Sequence, residues 1–169
     1  METGTETGAF QKRRRGKHSV TIGRTPVGWG IFAQRKYRVD EIIGEIQGAV
    51  VDDVSYGSDY CFRLGDRHRL EPASPFRYVN HSCDPNSEFD FFDLSENGDP
   101  STRRRAFLIA LRDIRCGEQV TIDYNWSATA AIPCRCQSPH CRGWIVDEDQ
   151  LGELLECVAQ AKQTCVLDG

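Results

Sequence analysis

No stretch of the chain comes near the roughly 20 consecutive apolar residues that a membrane-spanning helix requires, since its aliphatic runs are short and interrupted by charged residues. The amino terminus also lacks the apolar segment of a secretory signal. These two absences predict a soluble, intracellular protein with no membrane partner. At 169 residues the chain is too short for a second full domain, and it contains no internal repeat.

Charge is unevenly distributed along the chain, although the formal net charge is only −4. Residues 1–38 carry nine Lys or Arg against two Glu, whereas residues 144–169 carry one Lys against six acids. The run KRRRGK can contact nucleic acid, act as a nuclear-import signal, hold an acidic partner, or be a solvated tail. We assign residues 1–19 to a flexible basic arm that makes at most weak nucleic-acid contact through Lys12, Arg13, Arg14, Arg15 and Lys17.

Short β-rich segments alternate with turn residues over most of the length, which predicts a mainly β fold. The turn-rich loop 95–101 is expected to join two antiparallel strands. One amphipathic helix is predicted near the C-terminus, where Leu151, Leu154, Leu155 and Val158 recur at helical spacing after an acidic start. The predicted strands lie at 20–24, 28–34, 41–51, 59–64, 106–114 and 116–124.

The chain has eight cysteines, which would suggest a disulfide scaffold in a small secreted protein, but no export signal is present. The CxCx4C spacing of 134–141 is better suited to metal thiolates. A structural zinc ion takes four ligands in a tetrahedron, and Cys134, Cys136 and Cys141 supply three of them. Spacing alone leaves the fourth open among Cys83, Cys61, Cys116 and His140.

Six motifs follow one another in a fixed order: GWG (28–30), EIQG (45–48), YCF (60–62), RYVNHSCDPN (77–86), GEQVTIDY (117–124) and CRCQSPHC (134–141). Together they resemble the SET-domain protein lysine methyltransferases. The resemblance implies the SET (β-clip) fold, with several short curved sheets, a knot-like C-terminal segment, a post-SET zinc loop and a C-terminal helix. We place the SET domain at 20–130, the post-SET segment at 131–146 and the helix at 147–169. No cysteine-rich pre-SET region precedes residue 20, so we expect a minimal, stand-alone enzyme.

The resemblance also implies roles for individual residues. Cys83 becomes the fourth zinc ligand, and Tyr124 becomes the catalytic tyrosine, with Tyr60 beside the transferred methyl group. Ile46, Phe62 and Ile122 would line the substrate channel. The positions that match the family's binding site for S-adenosylmethionine are Arg24, Gly28, Trp29, Gly30, Tyr60, Arg77, Asn80, His81 and Trp144.

The chain departs from the usual family pattern at three positions. Ile46 stands where most members have Tyr, and Ala49 where they have Glu. Ile122 lies two residues before Tyr124, at a position where most members have Phe or Tyr and which influences how many methyl groups are added. Because an aliphatic side chain cannot hold a restricting water there, we expect methylation beyond the first methyl group.

We therefore expect a S-adenosylmethionine-dependent protein-lysine N-methyltransferase that acts on a histone tail or another basic protein. Its expected location is the cytoplasm if the source is bacterial and the nucleus if it is eukaryotic. One alternative is a catalytically silent SET-like module that binds through its basic arm, but the trio Asn80, His81 and Tyr124 argues against it. A zinc-dependent redox or DNA-binding protein is the other, and the complete methyltransferase pattern before the zinc loop weakens it.

Overall fold

The computed structural model describes residues 19–64, 67–93 and 104–167. The basic run at 12–17 and the loop at 95–101 lie outside these residues. The described part is mainly β with one α-helix, which confirms the predicted fold class. Its elements are β1 (Val20–Thr25), β2 (Gly28–Ala33), β3 (Ile42–Ile46), β4 (Gly48–Val51), β5 (Phe62–Arg63), β6 (Arg69–Pro72), β7 (Asn80–His81), β8 (Ser87–Asp93), β9 (Arg104–Ala110), β10 (Gln119–Ile122), β11 (Ile132–Pro133), β12 (Trp144–Ile145) and α1 (Leu151–Leu167).

The chain divides into two compact units, and each unit is discontinuous in sequence. The first unit contains the described residues up to Asn80 together with Asn86–Thr121. The second contains His81–Pro85 and the described residues from Ile122 onward. The strands form four small sheets, in the orders β1-β2-β10-β7, β3-β9-β8, β4-β6-β5 and β11-β12.

A tight hairpin joins β1 to β2 in the first unit. Pro26 and Val27 form its turn, the backbone of Gly28 has a φ of 117°, and the Thr25 hydroxyl donates to the Gly28 carbonyl at 3.2 Å. This φ favours glycine because a Cβ atom would clash with the backbone in that conformation. The hairpin register then places Arg24 directly opposite Trp29.

The sheet β3-β9-β8 supplies much of the core of the first unit. Ile42, Phe107 and Ile109 form a buried cluster, and Phe92 packs against it. Strands β8 and β9 pair antiparallel from Ser87 opposite Ala110 to Asp93 opposite Arg104. The expectation that the loop at 95–101 joins two antiparallel strands is therefore confirmed for the strands that flank it. The strand predicted at 106–114 is shorter, because it ends at Ala110.

The single strand predicted at 41–51 is wrong in one respect, because the segment divides into β3 and β4, which belong to different sheets. The division falls at Gln47, whose carbonyl accepts from the backbone of Ala73 at 2.7 Å. Immediately after it, Gly48 lies so close to β6 that a Cβ atom would collide with the backbone carbonyl of Glu71. Only glycine allows this approach without a shift of one strand.

A buried amide holds the segment after the Cys83 loop against β10. Asn86 is 2% exposed, and its Nδ2 donates to the Gln119 carbonyl at 2.8 Å and to the Glu118 carboxylate at 3.0 Å. Its Oδ1 accepts from the backbone of Thr121 at 2.9 Å. Because every polar atom of this amide has a partner, its burial carries little penalty and fixes the start of β10.

The second unit contains the β11-β12 hairpin and α1. The Asp147 carboxylate accepts from the backbone of Asp149 at 3.0 Å, at the start of the 3₁₀ turn Glu148–Gln150 that leads into α1. Leu151, Leu154 and Val158 are half-buried, whereas Leu155 is 47% exposed. The helix is thus confirmed, but its apolar stripe is only partly covered. Within the described residues, no helix has the length and apolar content to cross a membrane.

The close approach at Gly48 predicts a specific weakness. The substitution Gly48→Ala should lower the free energy of unfolding by about 1–3 kcal/mol, because the added methyl group forces β4 and β6 apart. Gly57→Ala is the matched control, since a Cβ at Gly57 would have nothing within 4 Å. Urea unfolding of both variants measures the difference; equal stability of the two would show that β4 can shift without cost.

Candidate active site and metal centre

A cluster of metal-binding side chains lies within the second unit. The ligand atoms of His81, Cys83, Cys134 and Cys136 all lie within 4.8 Å of one another, and the Cys83 and Cys134 sulfurs are 3.7 Å apart. The Cys141 thiol hydrogen-bonds to Cys134 and Cys136. The cluster thus contains three of the four predicted zinc ligands and one imidazole, and Cys141 contacts two of those ligands. These soft donors fit a tetrahedral structural zinc ion.

The loop 134–143 is shaped by hydrogen bonds from backbone N–H groups to sulfur and by two residues in the left-handed backbone conformation. The backbone N–H of Cys136 donates to the Cys134 sulfur at 3.4 Å, and that of Gly143 donates to the Cys141 sulfur at 3.4 Å. Gln137 and Gly143 have φ values of 61° and 81°. These turns aim N–H groups at sulfur, and hydrogen bonds of this kind stabilise thiolates.

Proton affinity is unevenly distributed over the cluster. Burial raises the pKa of Cys83 and of Cys134 above the usual thiol value. Burial also acts to raise the pKa of Cys136, but hydrogen bonds outweigh it and lower that pKa to about 7; they come from the backbone of Cys83 and Ser138 and from the other thiols. Protonated, closely spaced sulfurs of this kind release their protons when a divalent cation binds.

Other residues considered as the fourth ligand have different surroundings. His140 is 79% exposed and lies 3.6 Å from the Asp84 carboxylate. The Cys61 sulfur accepts from the backbone of Ser58 at 3.2 Å, and Cys116 is exposed. The structure thus groups Cys83 with Cys134 and Cys136, and the ligand set Cys83, Cys134, Cys136 and Cys141 stays our prediction.

The His81 imidazole connects the cluster to Tyr124. Its Nε2 lies 3.3 Å from the Cys83 sulfur, and its Nδ1 accepts from the backbone N–H of Tyr124 at 3.3 Å. Burial lowers the pKa of His81, and nearby Arg142 acts in the same direction, whereas the Asp123 carboxylate opposes them. A neutral imidazole that accepts at Nδ1 carries its proton on Nε2. In His81 this N–H faces the Cys83 sulfur.

Tyr124 lies on a turn and not at the end of a strand. The strand predicted at 116–124 ends at Ile122, because the Asp123 carboxylate accepts from the backbone of Asn125 at 3.2 Å and Asn125 adopts a φ of 47°. The Tyr124 ring stacks on Trp126 with 5.5 Å between centroids and lies 5.4 Å from the His81 ring. Its orientation is therefore set by aromatic contacts on two sides.

Two polar residues beside Tyr124 were missed by the sequence reasoning. Asp123 lies 3.4 Å from the His81 Nδ1, and the Arg142 guanidinium forms a 2.7 Å ion pair with it. Their side chains are only 16% and 11% exposed. The sequence gave no sign that Asp123 and Arg142 pair. They are 19 positions apart, and only the folded chain brings them together.

In the first unit, four of the predicted cofactor residues lie together. The Arg24 guanidinium stacks 3.8 Å from the centroid of the Trp29 ring, which is 46% exposed. The Asn80 amide donates to the Trp29 carbonyl at 3.0 Å. A Cβ at Gly30 would lie 2.9 Å from that amide nitrogen, so the glycine keeps room for Asn80. Arg24 thus contacts the indole in this structure.

Tyr60 and Arg77, also predicted for the cofactor site, form a second group in the first unit. The Arg77 guanidinium lies 4.2 Å from the centroid of the Tyr60 ring and 3.7 Å from the Glu71 carboxylate. Glu71 also accepts from the Ser58 hydroxyl at 2.5 Å, and that hydroxyl in turn accepts from the backbone of Tyr60 at 3.1 Å. Glu71 therefore supports Tyr60 from two directions, and nothing in its sequence context signalled this.

The remaining predicted residues lie on strands of both units. Phe62 stacks on Phe89 with 4.7 Å between ring centroids. Ile46 is buried in β3 opposite Ala106, and Ile122 is buried at the end of β10. In the second unit, the carbonyl of Trp144 accepts from the Cys83 thiol at 3.9 Å. The roles assigned to these residues stay predictions.

Comparison with known proteins gives consistent matches. The family model described as the SET domain matches residues 28–125. The H3 lysine-4 specific histone-lysine N-methyltransferase of Saccharomyces cerevisiae is 27% identical over 85% of this chain and 14% of its own length. The histone-lysine N-methyltransferase ash1 of Drosophila melanogaster is 34% identical over 73% of this chain and 6% of its own length. The chain therefore spans less than a sixth of each relative.

Solved structures resemble the fold. The crystal structure of KRYPTONITE in complex with mCHG DNA and SAH matches with a TM-score of 0.68 at 21% identity, over 78% of this chain and 30% of that one. A second KRYPTONITE complex, with mCHH DNA, an H3(1-15) peptide and SAH, has a TM-score of 0.66 at 20% identity over the same shares of the two chains. At these identities the likeness supports the fold assignment alone.

The thiolate cluster predicts the metal content of the protein. We expect one zinc ion per chain by elemental analysis, and we expect Cys83→Ser to lose most of it because one of four soft ligands is removed. Cys116→Ser is the matched control, since Cys116 is exposed and outside the cluster. Full zinc content in the Cys83 variant would exclude Cys83 as a ligand.

Proposed function

The chain belongs to the SET-domain family, and we propose that it transfers a methyl group from S-adenosylmethionine to the side-chain amine of a lysine in a protein substrate. The observation that supports the proposal most directly is the position of Tyr124. Its backbone bonds to His81, and His81 contacts the Cys83 sulfur. The catalytic tyrosine implied by the family is thus fixed beside the thiolate cluster. The catalytically silent alternative has no observation in its favour.

The donor, when bound, supplies a methyl group already activated on a positively charged sulfur. The residues of the first unit that would hold it are Arg24, Trp29 and Asn80, with Tyr60 and Arg77. Trp29 and Tyr60 are 46% and 44% exposed, and the ring of each lies against a guanidinium. These flat apolar faces beside cations and an amide suit a ligand that combines an aromatic base with a carboxylate. The family resemblance assigns His81 and Trp144 to the same ligand.

The main barrier for this chemistry is the charge on the lysine. An amine with a pKa near 10.4 needs about 4.6 kcal/mol to be neutral at pH 7. Burial of a lysine in an apolar channel lowers its pKa by up to roughly 3–5 units, which offsets most of that free energy. Phe62, Ile46 and Ile122 are the apolar side chains that we assign to such a channel. The Tyr124 hydroxyl then needs only to orient the neutral amine, and no dedicated base is required.

A histone tail or another basic protein is the proposed substrate. The yeast relative is described as specific for lysine 4 of histone H3, and one of the similar structures contains an H3 peptide. In this chain, residues 144–169 carry six acids against one Lys, which attracts a basic segment at moderate ionic strength. We further propose weak nucleic-acid contact through the basic run at 12–17.

We place the protein in the nucleus, where a histone substrate would be found. The relatives described above are from yeast and fly, so the bacterial, cytoplasmic option has no support. A nuclear location also agrees with the basic run at 12–17, which matches the composition of an import signal.

The proposed reaction predicts a specific effect at Tyr124. Transfer of labelled methyl groups to histones should fall roughly 100-fold in Tyr124→Phe, because one hydroxyl that orients the reacting groups is lost. Tyr37→Phe is the matched control. Its hydroxyl bonds the backbone of Ser19, at 2.8 and 3.0 Å, and the Arg35 side chain. The substitution should therefore cost about 1 kcal/mol of stability with kcat unchanged. Unaltered transfer in Tyr124→Phe would remove Tyr124 from catalysis, and no transfer by wild type to histones or lysate would favour a silent module.

The aliphatic residue at position 122 predicts the product. Mass spectrometry of a modified peptide should show dimethyl and trimethyl lysine at long reaction times, because Ile122 offers no hydroxyl to retain a water in the space for further methyl groups. A product that stops at monomethyl lysine under the same conditions would contradict this prediction.

A further inference from the structure

We propose that Arg142 and Asp123 are positioning residues that join the thiolate cluster to the turn carrying Tyr124. The contacts that connect Arg142 and Asp123 to the cluster all lie within the second unit. Their effect on catalysis rests on the proposed function.

Arg142 contacts the cluster and the turn at the same time. It follows Cys141 in sequence, and its backbone N–H and its side chain both hydrogen-bond to the Cys83 thiol. Its guanidinium donates to Asp123 Oδ1 at 2.8 Å and lies 2.7 Å from Oδ2. Both contacts come from one nitrogen, Nη2, so a single cationic donor holds the two oxygens of the carboxylate.

Asp123 transmits this constraint to Tyr124. Its carboxylate accepts from the backbone of Asn125 and lies 3.4 Å from the His81 imidazole. Tyr124 stands between Asp123 and Asn125, and its own N–H donates to His81. Two routes therefore connect Cys83 to the tyrosine, one through His81 and one through Arg142 and Asp123, and together they close a ring of contacts.

Stability alone gives little reason for this ion pair. The Nε of Arg142 is buried and has no hydrogen-bond partner among the described residues, so the guanidinium is only partly compensated for its lost hydration. A buried pair of this kind adds little net stability compared with apolar side chains. We therefore expect its loss to affect the metal and the tyrosine more than the global free energy of unfolding.

The first test is the rate of zinc release to a chromophoric chelator. Arg142→Met and Asp123→Asn should each release zinc at least about tenfold faster than wild type, as expected when the partners that orient ligands are removed. The double variant should be no faster than either single variant, because both remove the same contact. Arg135→Met is the matched control: Arg135 lies in the same loop, is exposed, and should leave the rate unchanged.

The second test separates positioning from folding. In Arg142→Met the kcat for methyl transfer should fall at least about tenfold, while the KM for the peptide and the circular dichroism spectrum stay near wild type. Arg142→Lys should recover part of the kcat, since it keeps the charge that pairs with Asp123 but lacks the guanidinium that also contacts Cys83. If Arg142→Met does not fold, Arg142→Lys and Asp123→Asn provide the same comparisons of zinc release and kcat with wild type.

The outcomes are distinguishable. Unchanged zinc release in both single variants, or additive effects in the double variant, would overturn the inference even if the wild type is an active methyltransferase. If the wild type transfers no methyl group to histones or lysate, the proposed function fails, and the zinc-release cycle still decides whether Arg142 and Asp123 act on the cluster.

Discussion

The second unit depends on the contacts of one thiol, Cys83. Its sulfur lies within hydrogen-bonding distance of the Cys134 thiol, the His81 imidazole and the carbonyl of Trp144. It also accepts a hydrogen bond from the backbone N–H of Arg142. Three separate stretches of chain therefore meet at one atom. Burial makes the protonated form of this thiol more favourable, so a bound cation changes both its charge and the strength of every contact around it.

From this point the contacts extend to the residue proposed for catalysis. His81 and the Arg142–Asp123 pair reach the turn of Tyr124 from two sides, and Trp126 covers the tyrosine ring. In the first unit the arrangement is comparable: the Arg77 guanidinium lies against the Tyr60 ring, and Glu71 pairs with that guanidinium. In both units an aromatic residue assigned to the chemistry is oriented by a buried or half-buried ion pair. Fixed orientation of this kind is what presenting an amine in line with a methyl donor requires.

Much of this arrangement was predictable from the sequence, for identifiable reasons. The motifs indicated the family, and β-rich segments that alternate with turn residues predicted the strands, because both are local patterns. The segment 41–51 was predicted as one strand because it is a single β-rich stretch; its division depends on the approach of Gly48 to the backbone of β6, a tertiary contact. Similarly, Asp123 lies in the motif 117–124 and Arg142 directly follows the motif 134–141, and the two residues pair only after folding. The basic run at 12–17 and the loop at 95–101 were predicted from composition, and both lie outside the described residues.

The discontinuity of the two units affects how the chain is synthesised. Cys83 leaves the ribosome 51 residues before Cys134, and the rest of the second unit follows Ile122. During translation, His81 is the one cluster residue already present when Cys83 is made; Cys134 and Cys136 are synthesised after the whole of the first unit. A metal at this cluster would thus be bound only after Cys134 and Cys136 are synthesised, although the first of its thiol ligands, Cys83, is made much earlier.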